Sequence, residues 1–163
     1  MAGVGRLAYH RSGPADPGGH ILATQTTAFS AEIRRFLDAD PPRFATIATL
    51  SQDGSPHQAV VWYLTTDDGV VINSLEGRAW PTNLRRDPRL SFVVEDGYEY
   101  VALRGKVELI EDQDRAQADI AAMCRRHHTP EHAEDMIERL FRPQQRVSFV
   151  LRPESVSTHG QIG

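Results

Sequence analysis

Residues 73–92 combine a strand end, a glycine turn, an arginine and the start of a helix. The stretch is Asn-Ser-Leu-Glu-Gly-Arg-Ala-Trp-Pro-Thr-Asn-Leu-Arg-Arg-Asp-Pro-Arg-Leu-Ser-Phe. Exposed N–H groups at a helix start, together with the positive end of the helix dipole, favour an anion such as phosphate. Arg78 can add a bidentate contact to that anion. The segment therefore predicts an anion site, the alternative being that Arg85, Arg86 and Arg89 only form a solvated helix face.

Three histidines raise the hypothesis of a metal site at residues 127–132. His128 and His132 have the i, i+4 spacing that places two ligands on one face of a continuous helix. Pro130 lies between them and predicts a helix break, so we interpret these two and His127 as solvated side chains and expect no metal. The single cysteine, Cys124, continues an apolar helical pattern and is predicted to be a buried structural residue.

Composition and charge limit the class of protein. The 163 residues fit one domain, and a net charge of −4 argues against a general nucleic-acid binder. No apolar run approaches the roughly 20 residues that cross a bilayer, and residues 1–20 lack the apolar core of a signal peptide. One cysteine excludes an internal disulfide. We expect a soluble cytoplasmic protein with no nucleic-acid or membrane partner.

The elements that would position the anion site begin after an aperiodic start. Residues 1–28 are rich in turn formers and predict a flexible N-terminal arm ahead of one domain at residues 29–163. After the N-cap residue Ser30, apolar residues recur at helical spacing until Pro41, which predicts a short first helix.

Five segments rich in β-branched and aromatic residues predict strands. They are residues 43–50, 57–64, 69–74, 89–95 and 98–110. The Asp-Gly pairs at residues 53–54, 68–69 and 96–97 are expected to supply the positive φ of tight hairpins, so the first three strands should form an antiparallel meander. A short helix is expected at residues 77–88, because Pro81 suits a first helical turn.

Two amphipathic helices and a last strand pattern follow. Residues 112–127 place apolar side chains on one helical face, and Met136, Ile137 and Leu140 do so in residues 131–140. Residues 146–151 predict a strand, and residues 155–159 a further one. Six or seven short antiparallel strands with helices inserted late are typical of an α+β, mainly β, small closed barrel.

Five motifs in register carry a family resemblance. They are Phe44-Ala-Thr-Ile-Ala-Thr-Leu50, Gln52-Asp-Gly-Ser-Pro56, Val61-Trp-Tyr63, Asn83-Leu-Arg-Arg-Asp-Pro-Arg89 and Glu95-Asp-Gly97. Their order and spacing resemble the pyridoxamine-5′-phosphate-oxidase-like split-barrel family, and more closely its deazaflavin-dependent branch, whose cofactor is coenzyme F420. The resemblance covers residues 44–160. It implies a split β-barrel with peripheral helices that forms a homodimer, with two cofactor sites between the subunits.

The resemblance also implies the residues that bind the cofactor. In the family the ring lies against the strand matching residues 59–62, and the phosphate side is held by the segment matching residues 74–83. The positions carried over are Gln58, Val60, Trp62, Ser74, Arg78, Trp80 and Asn83. Ser74, Arg78 and Asn83 are expected at phosphate and hydroxyl groups. By the strand period of two, Gln58, Val60 and Trp62 are expected on one face.

Two further positions bear on the chemistry. His57, beside the ring strand, is a candidate proton donor, the alternative being a surface histidine at a strand end. Many deazaflavin-binding relatives carry a lysine two positions after the arginine that matches Arg78, and Trp80 stands there in this chain. A phosphate contact is therefore missing. Trp80 either packs in the core, which is more usual for an aromatic before a proline, or stacks on the ring.

The resemblance implies an F420-dependent oxidoreductase that transfers a hydride between the deazaflavin and a small organic substrate. Such chemistry is supplied by the cofactor, so no catalytic triad is expected. The alternatives are the same reaction with FMN, or a non-catalytic flavin- or haem-binding protein, because fold does not fix function.

Overall fold

The computed structural model describes residues 22–23, 29–67 and 69–162. The strands of this part are β1 (Leu22–Ala23), β2 (Ala45–Leu50), β3 (Pro56–Val61), β4 (Tyr63–Thr65), β5 (Val70–Leu75), β6 (Arg89–Asp96), β7 (Glu99–Ile110), β8 (Arg146–Leu151) and β9 (Ser155–His159). The helices are α1 (Ala31–Leu37), α2 (Ala79–Arg86), α3 (Gln113–His127) and α4 (Pro130–Met136), which continues into a π-helical turn at Ile137–Phe141. The arm predicted at residues 1–28 lies outside the described residues, except for β1, which pairs with β9.

The strands pair antiparallel in the order β3-β2-β6-β7-β8-β5-β4. The first part of β7 lies between β6 and β9, and its last four residues, 107–110, pair with β8. One strand therefore joins the two halves of the sheet. This topology confirms the expected α+β, mainly β, split barrel with peripheral helices.

The interior of the barrel is filled by alternate residues of the strands. Its largest fully buried side chains are Tyr63, Phe92, Phe149, Leu37, Ile47, Ile72 and Leu103. Each such apolar side chain contributes about 1.5–3 kcal/mol by leaving water. The Tyr63 hydroxyl donates to the carbonyl oxygen of Leu37 at 2.6 Å, and burial raises its pKa to about 12. Trp80 and Leu84 of α2 also belong to this core, so α2 packs into the barrel.

The largest group of described helices covers one side of the barrel. α3, α4 and the π-helical turn pack on the outer face of β5 and β8, in a second cluster that includes Val71, Met123 and Val150. α3 begins as predicted, because the Asp112 carboxylate caps it by accepting from the N–H of Arg115 at 2.8 Å. The opposite outer face, on β3, β2, β6, the first part of β7 and β9, stays half-buried or exposed among the described residues.

The prediction of one strand at residues 57–64 is wrong in one respect, because this segment divides into β3 and β4. β3 pairs with β2, whereas β4 pairs with β5, so the chain crosses from one half of the sheet to the other at Trp62. Trp62 lies in neither strand and packs against the helix cluster. The expected three-stranded meander is therefore two separate hairpins, β2–β3 and β4–β5.

The hairpin glycines fulfil two different requirements. Gly54 and Gly97 have φ of 83° and 63°, which confirms the positive φ expected at those turns. Gly69 does not, and the expectation there was wrong. A Cβ on Gly69 would lie 2.1 Å from the carbonyl oxygen of Leu151, so the close approach of β8 requires this glycine.

The second amphipathic helix also departs from its predicted face. Leu140 is 47% exposed, whereas Phe141 is buried. The π-helical turn at residues 137–141 is wider than an α-helical turn, which shifts the inward position by one residue. An α-helical period of 3.6 residues, assumed for the whole segment, therefore predicts Leu140 as the buried residue, whereas Phe141 is the one buried.

Candidate functional site

A groove of about 270 Å³ lies beside the end of β3 and the start of α2. Its lining residues are Phe44, Val60, Val61, Trp62, Asn73, Arg78, Trp80, Ile120, Phe141 and Arg146. Four residues expected at the cofactor are thus brought together: Val60, Trp62, Arg78 and Trp80. None of the lining residues is acidic.

One wall of the groove is apolar and aromatic. Val60 and Phe44 are 69% and 55% exposed, so both present apolar surface at the groove. The Trp62 ring stacks on the imidazole of His127, with centroids 5.0 Å apart, and Phe141 meets the Trp62 ring edge-on at 6.3 Å. The wall offers apolar and aromatic surface to a ligand in the groove.

The other wall carries two guanidinium groups. Arg146, at the start of β8, is only 4% exposed. Its Nε and Nη2 donate to Oδ1 of Asn73 at 2.9 and 2.7 Å, and its Nη1 donates to Oε1 of Gln144 at 2.7 Å. No described carboxylate pairs with it. Burial, and then the nearby charge of Arg78, lowers the pKa of Arg146 to about 10, so the group is still charged at neutral pH.

Arg78 is the N-cap residue of α2, and its side chain is exposed. Within the described residues this side chain makes no hydrogen bond or ion pair, and it does not cap the helix. The first N–H groups of α2 and its positive dipole end therefore lie beside two uncompensated arginines. This wall has the charge that an anion requires.

A polar network fixes the Arg146 side chain. The Nδ2 of Asn73 donates to the carbonyl oxygen of Ala116 and to Oγ of Ser148, both at 2.9 Å. The Ser148 hydroxyl donates to Asp119 at 2.8 Å, and Arg115 donates to the same carboxylate at 2.9 Å. Asn73 is thereby held with its carbonyl towards Arg146.

The structure places the remaining predicted site residues away from the groove lining. Ser74 is buried, and its Oγ has no hydrogen-bond partner. Asn83 is buried and donates to Oγ1 of Thr49 at 3.1 Å. Gln58 is exposed, and half-buried His57 accepts through its carbonyl oxygen from Thr49 at 3.4 Å. Their predicted roles at the cofactor stay predictions.

Trp80 lines the groove but packs as a core residue. It is 5% exposed, and its ring lies against Phe149 of β8 with centroids 5.6 Å apart. Of the two interpretations of this tryptophan, the structure supports packing. The side chain at position 80 is therefore turned towards the barrel interior.

Sequence reasoning missed three lining residues of consequence: Arg146, Asn73 and Phe141. Asn73 was in the segment that predicts the anion site, but its side chain was not singled out. Arg146 is the first residue of β8, and only the tertiary structure brings it to the same groove as Arg78. Phe141 is turned inward by the π-helical turn, and no pattern in the sequence predicts that turn.

The histidines lie at the helix break predicted at Pro130, but two of them are not solvated. His127 and His128 are half-buried against Trp62, and the Nε2 atom of each is buried with no hydrogen-bond partner. Burial, followed by the charges of Arg126 and His128, lowers the pKa of His127 to about 4. The described part of the chain holds no group of three metal-ligating side chains.

Cys124 is buried as predicted, and burial raises the pKa of its thiol. Within the ranges that the structure describes, none of the helices has both the length and the apolar character needed to span a bilayer.

Comparison with known proteins agrees with this fold. The model of the pyridoxamine 5′-phosphate oxidase family matches residues 29–160, more than half of the chain. The chain therefore belongs to the pyridoxamine 5′-phosphate oxidase family. No curated protein sequence matches it.

Solved structures with the same fold include proteins of several descriptions. A conserved hypothetical protein of Mycobacterium tuberculosis has 24% identity and a TM-score of 0.68, over 86% of this chain and 90% of that one. An F420 reductase has 22% identity and a TM-score of 0.56, over 71% and 90%. A haem-binding protein of Mycobacterium smegmatis has 25% identity and a TM-score of 0.58, over 82% of this chain and 55% of that one.

Proposed function

We propose that the groove binds a phosphorylated flavin-type cofactor, coenzyme F420 with FMN as the alternative, and that the protein is an oxidoreductase acting on a small organic substrate. The observation that supports this most is the pairing of an aromatic wall with a cationic wall that holds no carboxylate. A flavin or deazaflavin has the matching parts, a planar ring and a phosphoryl group. Membership of the family and the F420 reductase of similar fold support the same proposal.

Different residues of the groove would contact different parts of the cofactor. Val60, Phe44 and Trp62 would lie against the ring and exclude water, and Arg78 would hold the phosphoryl group with the start of α2. When bound, the cofactor supplies the hydride. The lining contains no carboxylate or histidine, so the chain contributes position and electrostatics, and the proton of a reduced product comes from solvent.

We propose further that the protein is a homodimer, joined through the outer face that no described helix covers. A row of facing residues crosses its five strands: Val60, Thr46, Val93, Ala102 and Ser157. These side chains are small or β-branched, and Val60 also lines the groove. The groove is slightly smaller than the roughly 300–1,000 Å³ of complete ligand pockets, as expected of a site that a second subunit completes.

Haem binding is the candidate from a different class, since a haem-binding protein shares the fold. Haem iron needs an axial ligand such as histidine, cysteine, methionine or tyrosine. None of the residues that line the groove is of these types. The lining therefore favours a flavin-type cofactor over haem.

A parallel titration tests the proposal. The purified cofactor-free protein is titrated with oxidised F420, FMN, FAD and haem, followed by absorbance and fluorescence. We expect micromolar or tighter binding of F420. Arg78→Ala should weaken it by about 1.5–3 kcal/mol, the range for a hydrogen bond to a charged group. Arg139→Ala, at an exposed arginine that pairs with Asp135, is the matched control and should bind as the unmodified protein does.

The outcomes separate the candidates. Preference for FMN would move the protein to the flavin-dependent branch, and binding of haem alone would contradict the proposal. For a protein that binds F420 or FMN, turnover with a defined electron donor distinguishes an oxidoreductase from a protein that only stores or senses the cofactor.

A further inference from the structure

Arg146 is a buried charge with no counter-charge at ion-pair distance among the residues that the structure describes. A buried arginine is normally paired with a carboxylate, because leaving a charge alone in a low-dielectric interior is unfavourable. The acceptors of Arg146 are two neutral amide oxygens, on Asn73 and Gln144. The nearest acidic group of its network, Asp119, is reached only through Ser148 and Asn73. An anion in the groove would supply the missing charge.

The Arg146 guanidinium also has N–H donors that make no hydrogen bond to a described residue. Arginine carries five N–H groups, and three of these bonds are made, two to Asn73 and one to Gln144. The remaining N–H groups, one on Nη1 and one on Nη2, have no acceptor among the described residues. The plane of the group is fixed by its two partners, so these donors are pre-organised for a bidentate anion.

The two arginines of the groove come from distant parts of the chain. Arg78 precedes α2 and Arg146 begins β8, and both line the same groove. Trp80, two positions after Arg78, packs inside the barrel against Phe149 and adds no charge to the groove. Arg146 is therefore the second cation of the groove lining.

We propose that Arg146 is a phosphate-binding residue, which completes with Arg78 a two-arginine site for the phosphoryl group of the cofactor. Asn73 and Gln144 are positioning residues, because their side-chain oxygens accept from the guanidinium and orient it. The proposal rests on the proposed function only for the identity of the cofactor. The chemistry that the site recognises is a phosphoryl group, whether it belongs to FMN, to F420 or to free phosphate.

Paired ligands with and without the phosphoryl group test this. The unmodified protein, Arg146→Gln and Arg139→Gln are titrated with FMN against riboflavin, and with F420 against its phosphate-free deazaflavin. We expect Arg146→Gln to lose about 10- to 150-fold in affinity for the phosphorylated member of each pair, and less than about twofold for the other. The exposed control Arg139→Gln should change neither.

A second measurement does not depend on a flavin. Inorganic phosphate at millimolar concentration should raise the Tm of the unmodified protein and of Arg139→Gln, and should leave that of Arg146→Gln unchanged. If the protein binds neither FMN nor F420, the proposed function fails, and this phosphate effect still supports the anion site.

Two results would overturn the proposal. One is an unmodified protein that shows no preference for phosphorylated ligands and no phosphate effect on Tm. The other is a folded Arg146→Gln variant that loses both members of a pair equally, which indicates a purely structural arginine. If Arg146→Gln does not fold, Arg146→Lys replaces it, because it keeps the charge but loses the fork, and the same selective loss is expected.

Discussion

His127 connects the aromatic wall of the groove to the response of the protein to acid. Its ring lies between Trp62 and Phe44, and the lowered pKa, about 4 against an ordinary 6.5, results first from burial. The unfolded chain therefore takes up a proton at this residue before the folded chain does. The free energy of unfolding should fall as the pH drops from about 6.5 towards about 4, and this loss ends below the folded pKa.

Replacing the imidazole by a phenyl ring tests that pH dependence. In His127→Phe the aromatic contacts with Trp62 and Phe44 are kept and the titrating group is removed. We expect urea unfolding curves at pH 7, 5.5 and 4.5 to show a smaller loss of stability for this variant than for the unmodified protein. His132→Gln, at an exposed histidine on α4, is the control and should leave the pH dependence unchanged. Parallel curves for His127→Phe and the unmodified protein would contradict the assignment.

At the scale of residues, the sequence predicted which segments form the groove better than it predicted which polar side chains face it. Val60, Trp62 and Arg78 were predicted at the cofactor, and all three line the groove. Ser74 and Asn83 come from the same segment but turn into the interior, because that segment borders both the groove and the core. Arg146 lies 68 positions after Arg78 in the numbering, and local patterns do not report contacts over such a separation.

Among the elements, α3 is the one whose start is most clearly specified by the sequence. The Asp112 carboxylate caps it through the N–H of Arg115. Asp112→Ala should lower the free energy of unfolding by about 0.5–2 kcal/mol, measured by urea denaturation, because one of the first N–H groups of the helix loses its acceptor. Asp114→Ala, in the same first turn but not a cap, is the control and should cost at most about 1 kcal/mol through the helix dipole alone. Equal effects would mean that the cap contributes nothing specific.

Element boundaries were predictable where backbone chemistry fixes them. Ser30 caps α1, and Pro130 separates α3 from α4, as their types require. The division of a predicted strand at Trp62 was not predictable, because residues 57–64 keep strand-forming types throughout. Two different pairing partners, β2 and β5, decide that division, and partners are a property of the whole sheet.

For the molecule as a whole, we expect two subunits to associate through the uncovered sheet face. Ala102 lies inside the row of facing residues that runs from Val60 to Ser157. Sedimentation velocity should give a mass twice the 18.2 kDa of the chain, and Ala102→Glu should return it to 18.2 kDa by burying like charges against each other.

The control for that experiment lies on the helical side. Ala122 is exposed on α3, away from the uncovered sheet face, and Ala122→Glu should leave the dimer intact. Circular dichroism establishes that both variants fold. A monomeric unmodified protein, or dissociation by both variants alike, would exclude this face as the interface.

The pairing of β5 with β8 has a consequence for how the protein is made. One edge of β5 pairs with the neighbouring strand β4, but the other edge pairs with residues 146–151, so most of the chain must leave the ribosome before the barrel can close. Contacts between such distant segments form late and slowly in folding. The same late strand delivers Arg146 to Arg78. A nascent chain that stops short of β8 therefore lacks both a closed core and a complete cationic wall, and the groove proposed for the cofactor is completed together with the fold.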